Sequence, residues 1–174
     1  MKNTKGMIST IYQTLHAADL QELEGIYKKW ASDYDHDVVE LAGYVGHLIT
    51  SSLLLSKIKN KKAKILDAGC GTGLVGEILF ENNYKNVEGV DFSQEMLDVA
   101  IQKQVYQSLR LLDLTKILDY EDSLFDAIVC AGTFTCGHVG PEALLEMVRI
   151  TKKSGYICFT VRKQEWEASP YKEI

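Results

Sequence analysis

The stretch of this chain best equipped for chemistry is Asp67-Ala68-Gly69-Cys70-Gly71-Thr72-Gly73. Three glycines at alternate positions let a main chain turn sharply and approach a ligand with no Cβ in the way. Gly71-Thr72-Gly73-Leu74-Val75-Gly76 also spells GxGxxG, the dinucleotide fingerprint. Asp91 lies 18 residues past Gly73, near the roughly 20 expected of a ribose-binding carboxylate. Two adenosyl ligands therefore compete, NAD and S-adenosylmethionine. In the dinucleotide motif the first glycine follows its strand directly, whereas here Asp67 and Gly69 precede Gly71. S-adenosylmethionine carries an ammonium and a sulfonium but no pyrophosphate. A carboxylate at the loop entrance attracts the first ligand and repels the second. The spacing favours S-adenosylmethionine.

Further candidates follow along the chain. Asp91 is placed to accept hydrogen bonds from both ribose hydroxyls. Phe92 and Met96 could flank an adenine ring, although Met96 and Leu97 equally read as the core face of a helix capped by Ser93. Asp113 could accept the exocyclic adenine amine, with the Leu114 amide at a ring nitrogen, or it could be a surface turn acid. Cys130-Ala131-Gly132-Thr133-Phe134 should run beneath the amino-acid end of the ligand. Tyr34 is a candidate for the wall of a reaction site, in competition with plain core packing. His138 is a candidate base, but it reads more simply as a loop histidine ahead of a helix starting at Pro141. Cys136 lacks an activating arrangement.

The elements that must hold these residues show in the apolar pattern. Asp19 followed by Glu22 is a capping-box signal. Leu20, Leu23, Tyr27, Trp30 and Tyr34 then recur at steps of three and four, the stripe of an amphipathic helix. A second helix is expected from Asp37, with Val38, Leu41, Ala42, Val45, Leu48, Ile49 and Leu53 on its buried face. Residues 1–16 are weakly patterned and are expected to be mobile. From residue 63 the pattern changes to short apolar runs at 63–67, 87–91, 107–112, 125–131 and 155–161. Helical stretches alternate with them near 73–82, 93–103 and 141–152. Alternation of this kind predicts a Rossmann-like α/β domain with a doubly wound, mainly parallel sheet over residues 63–174, preceded by a helical cap over 1–62. Ligands of such sheets bind beyond the carboxyl ends of the strands, where the glycine loop falls.

Composition narrows the function. The 174 residues carry a net charge of −5, against the basic face that a nucleic-acid binder needs. No apolar run reaches bilayer-spanning length and the N-terminus has no secretory core, so a cytoplasmic protein without membrane contact is expected. Cys70, Cys130, Cys136 and Cys158 form no CxxC pair, and no metal-ligand spacing occurs among the histidines, so no metal is expected and the thiols read as reduced and mostly buried.

Taken in order, ILDAGCGTG, VEGVDFSQEMLDVA, FDAIVCAGTF and GYICFTVR resemble the class I S-adenosylmethionine-dependent methyltransferases over residues 63–162. IYKKWASDYDHDV, GTGLVGEIL and the late YKEI are similar to the Williams–Beuren syndrome region group of methyltransferase-like proteins. The resemblance implies cofactor contacts at Gly69, Gly71, Gly73 and Asp91, with the Trp30 to Tyr34 helix lying over the cofactor; an aromatic-rich helix outside the sheet module is expected to act there as a mobile lid. It implies methyl transfer in which positioning supplies much of the catalysis. After strand four the chain has Ala131-Gly132-Thr133-Phe134 rather than the Asn-Pro-Pro-Tyr-like motif of amide- and nucleobase-directed enzymes, and no Pro-Cys nucleophile of the cytosine C5 type. A small-molecule methyl acceptor is the expectation. The competing functions are an NAD-dependent oxidoreductase and a non-catalytic cofactor-binding partner subunit. A class I sheet has seven strands, and 12 residues follow Arg162. The sheet is therefore expected to lack its last two strands, leaving Ile157, Phe159 and Val161 on an open edge suited to a homodimer.

Overall fold

The computed structural model describes residues 4–134, 139–168 and 171. Five parallel strands form one sheet in the order β3-β2-β1-β4-β5. They are β1 (Ile65–Ala68), β2 (Val87–Asp91), β3 (Ser108–Leu111), β4 (Phe125–Phe134) and β5 (Thr151–Val161). The crossovers run through α4 (Leu74–Glu81), α5 (Gln94–Gln102) and α6 (Ala143–Ile150). The doubly wound expectation holds. Strand alternation divides the core between the two faces of the sheet. Leu66, Ala68, Ile128 and Cys130 pack with Leu144 and Met147 of α6, while Ile65, Val87, Ala127 and Val129 pack with Val75 and Leu79 of α4. Among the described residues β5 pairs only with β4 and is an edge.

Three expectations need correction. Residues 4–15 form a helix, α1 (Thr4–Leu15), rather than a mobile arm; it buries Met7 and Thr14 and packs on α2 (Leu20–Trp30). The helix expected from Asp37 is two pieces, a π-helix over His36–Leu41 and α3 (Gly46–Lys57), divided at Gly43, whose φ is +67°. The break uncouples their phases. Of the stripe expected to be buried, only Val38 is; Leu41, Ala42, Val45, Leu48, Ile49 and Leu53 are exposed. α3 instead turns His47, Thr50, Ser51 and Leu54 inward. Asp19 does cap α2, accepting from the Glu22 amide at 2.8 Å, and Glu22 reaches back to the Ala18 amide at 2.7 Å. Among the described residues no helix is long and apolar enough to cross a membrane.

Candidate functional site

The glycine loop leaves β1 at the carboxyl edge of the sheet. Its start is pinned to the neighbouring strand, because the Gly69 and Cys70 amides both donate to the Val90 carbonyl, at 2.8 and 2.9 Å. Gly71 sits at φ +53°, and a Cβ built there would meet no atom within 4 Å. Gly71 lines a cleft, so its missing side chain leaves that space to the cleft. Gly69, at φ +72°, lies so close to Thr133 on β4 that a Cβ would overlap the Thr133 side chain. Asp91 completes the floor. Its Oδ2 accepts from the Gly71 amide at 2.8 Å and its Oδ1 from the Ser93 amide at 3.0 Å. Each carboxylate oxygen keeps a second acceptor position for a hydroxyl. Burial raises the pKa of this carboxyl, and the amides of Ser93, Gly71 and Phe92 oppose that rise.

Asp67 is not on the cleft wall. It is buried behind the loop, where Oδ2 accepts from the Tyr106 hydroxyl at 2.6 Å and Oδ1 has no partner. Desolvation raises its pKa to about 7, against the Tyr106 hydrogen bond, with the Asp91 charge adding to the rise. With the Asp67 and Asp91 carboxylates behind it, the loop suits an ammonium ligand and opposes a pyrophosphate. Tyr106 also explains the GxGxxG coincidence. A Cβ at Gly76 would overlap its ring, and Cβ atoms at Gly73 and Gly89 would stand 3.1 Å from it. The third glycine of the apparent dinucleotide pattern makes room for a tyrosine.

The rest of the cleft wall comprises Phe92, Met96, Leu112, Asp113 and Leu114 on one side and Ala131 to Thr133 and Val139 on the other. Asp113 is partly occupied, its Oδ1 accepting from the Thr115 amide and hydroxyl at 2.8 and 2.7 Å. Leu20, Leu23, Tyr27 and Tyr34 come from the N-terminal helical region. The Tyr27 ring meets Phe92 edge to face, with centroids 5.9 Å apart. Burial raises the pKa of both the Tyr27 and Tyr34 phenols, which favours their protonated form.

Four other expected contacts fall outside the wall. Cys70 and Cys130 are buried in the core, and desolvation raises their thiols, Cys130 to about 12, so neither is a nucleophile. Gly73 caps α4 instead of touching ligand space. Trp30 is turned inward, its Nε1 donating to Asp37 Oδ2 at 2.9 Å, and it borders a second chamber rather than the cleft. His138 and Cys136 lie outside the described residues.

The helical region is tied to the loop by Asp35. It accepts from the Thr72 hydroxyl and pairs with Lys103 at 2.7 Å, while Lys103 also pairs with Glu77 at 2.7 Å. The cleft beneath is narrow, about 80 Å³, against about 410 Å³ in the adjoining chamber. The Tyr27–Tyr34 side covers this cleft, and Asp35 ties that side to the loop, which makes it a candidate latch. Asp35→Ala is expected to speed release of S-adenosylhomocysteine about fivefold, the equivalent of one partly exposed ion pair. Stopped-flow fluorescence of Trp30, in a background where Trp166 is phenylalanine, reads it. An unchanged release rate would remove the latch.

Tyr27, Tyr106 and the Asp35–Lys103 pair were absent from the sequence candidates. Tyr27 was visible only as one member of a core-like stripe. Asp35 lies 37 residues from Thr72 and 68 from Lys103, and no local spacing signals such pairs.

Comparison with known proteins follows the same geometry. The family model for the methyltransferase domain matches residues 66–159. Human methyltransferase-like protein 27 is 35% identical over 147 residues, 83% of this chain and 59% of the relative. Malonyl-[acyl-carrier protein] O-methyltransferase of Serratia marcescens is 34% identical over 100 residues, 56% of this chain and 37% of the relative. The chain thus spans less than two thirds of the length of these relatives. The crystal structure of a TehB-like SAM-dependent methyltransferase from Corynebacterium glutamicum superimposes with a TM-score of 0.62 at 25% identity, covering 82% of this chain and 79% of that one.

Proposed function

The chain belongs to the methyltransferase domain family, and on that premise we propose that it transfers a methyl group from S-adenosylmethionine to a small-molecule acceptor. The observation that carries the reading is the floor of the cleft. There Gly71 leaves open space while its amide donates to Asp91, whose two oxygens face the loop amide and the start of α5. The residues fit the cofactor. Asp91 offers acceptors to a ribose, Phe92 and Met96 offer apolar faces to a purine, and the unpartnered Asp67 Oδ1, behind the loop, suits an ammonium reached through one water. When bound, S-adenosylmethionine supplies a methyl group already activated on sulfur. The chain's own work is then orientation and exclusion of water by Tyr27 and Tyr34.

Titration calorimetry with S-adenosylmethionine and with NAD tests the reading, and preferential binding of NAD would sink it. Formation of S-adenosylhomocysteine in the presence of a metabolite extract separates an enzyme from a non-catalytic partner subunit. Asp91→Ala is expected to weaken the cofactor by about 1.5–3 kcal/mol, the usual worth of hydrogen bonds to a charged group. Affinity unchanged in the same titration would move the ribose contact elsewhere.

A further inference from the structure

The chamber of about 410 Å³ beside the cleft shares Tyr27, Tyr34 and Gly132 with it. We infer that this chamber is the methyl-acceptor site, and that it takes a flat, apolar molecule of one or two rings bearing an oxygen nucleophile. The inference rests on the methyltransferase reading above.

Shape and polarity set the body of the acceptor. Trp30, Val38, Phe134 and the two shared tyrosines present mostly aromatic, apolar surface, which rewards burial of a flat apolar ligand. The shared residues form a common border between the chamber and the cofactor cleft, and a group presented from the cleft past Gly132 and Tyr34 would cross it.

The head group is set by Tyr44. Two glycines make room for its ring: a Cβ at Gly46 would overlap it, and one at Gly132 would stand 2.8 Å from its hydroxyl. The phenol is thereby fixed against the end of β4. Its oxygen is buried, and among the described residues it interacts with the Thr160 side chain without full hydrogen-bond geometry. The nearby Thr160 hydroxyl accepts from the Gly132 amide at 2.7 Å. Desolvation raises the Tyr44 pKa against the influence of Thr160, which keeps the phenol protonated. A protonated phenol donates to an oxygen lone pair; because its oxygen can also accept, discrimination against an ammonium falls to the wall around it. Arg162, on the same wall, repels a cation, and its five donors allow it to meet an oxyanion while keeping other contacts. The described lining contains no carboxylate to attract an amine. In the transfer, an oxygen–carbon bond forms as the carbon–sulfur bond breaks, and the electron pair stays on the thioether sulfur. A carboxylate has no proton to lose, and a phenol passes its proton to solvent.

The test uses one ring system with three head groups: 1-naphthoate, 1-naphthol and 1-naphthylmethylammonium. Each is titrated calorimetrically into the full chain, with and without saturating S-adenosylhomocysteine. Naphthoate and naphthol are expected to bind, and the ammonium at least about tenfold more weakly, as loss of a hydrogen bond plus charge repulsion requires. Tyr44→Phe should weaken naphthol by about fivefold with S-adenosylhomocysteine affinity unchanged. Ala42→Trp places bulk at an exposed residue of the chamber lining and should abolish probe binding. Ammonium binding equal to that of naphthol, or probe binding indifferent to Ala42→Trp, would overturn the assignment. Probe binding without any S-adenosylhomocysteine binding would instead overturn the methyltransferase reading and leave the chamber standing.

Discussion

Gly71→Val is expected to eliminate measurable S-adenosylmethionine binding, a loss of more than a thousandfold, while the protein still folds. The free protein tolerates the change because a Cβ at this position meets nothing within 4 Å. Its main penalty is backbone strain, since Gly71 sits at φ +53°. A β-branched residue there costs about 1–3 kcal/mol, which a domain of this size survives with a lowered melting temperature. The ligand has no such tolerance. Gly71 is on the cleft floor, and its amide is held by Asp91 at 2.8 Å. The floor cannot retreat without breaking that bond, so two methyl groups would occupy the volume a cofactor needs. Calorimetry and a circular-dichroism melt, run on the same preparation, separate the two effects. Binding within threefold of the parent chain in a folded valine variant would mean that the cofactor lies elsewhere.

The same residues show how much the sequence discloses. The sheet was legible because short apolar runs alternate with helical stretches from residue 63 onward, and β2 matches its expected bounds at Val87–Asp91. The glycine loop and Asp91 were legible because their positions depend on local backbone geometry. The cover of the site was not. The stripe through Tyr27, Trp30 and Tyr34 says that one helix face is buried, but not whether core or ligand space lies against it. In the structure Trp30 turns to Asp37, while Tyr27 and Tyr34 line the cleft. α3 makes the same point more severely. A single left-handed residue, Gly43, divided the expected helix and sent Val45, Leu48, Ile49 and Leu53 to the surface. Asp67, expected at the loop entrance, instead stands buried behind the loop. Tyr106, its partner, was hidden because what it fills is the space left by Gly73, Gly76 and Gly89, which are neighbours only after folding.

Asp67 gives the remaining large effect, which depends on pH. Its folded pKa, about 7, lies above the ordinary value of 3.8. Below about pH 4 the carboxyl is protonated in both folded and unfolded chains and contributes nothing. Between about 4 and 7 the unfolded chain releases a proton that the folded chain keeps, so stability falls as pH rises. Above 7 the penalty is complete, on the order of 4 kcal/mol from a shift of about three pKa units. Asp91, also raised by burial, acts in the same direction. A cofactor ammonium near Asp67 would favour the ionised form and lower its pKa. Binding at pH 6–7 is therefore expected to release a proton, and affinity to rise toward pH 8. Calorimetry in buffers of differing ionisation enthalpy counts the proton. Asp67→Asn retains an oxygen for the Tyr106 hydroxyl but removes the titration. Its stability should vary less with pH than that of the parent, its proton release should vanish, and its affinity for S-adenosylmethionine should fall by at least about tenfold, the worth of about 1.4 kcal/mol of lost charge interaction. The comparison between the two chains cancels any titration of the cofactor's own amine. Equal proton release by parent and variant would show that Asp67 does not sense the ligand, and its raised pKa would then be a property of the core alone.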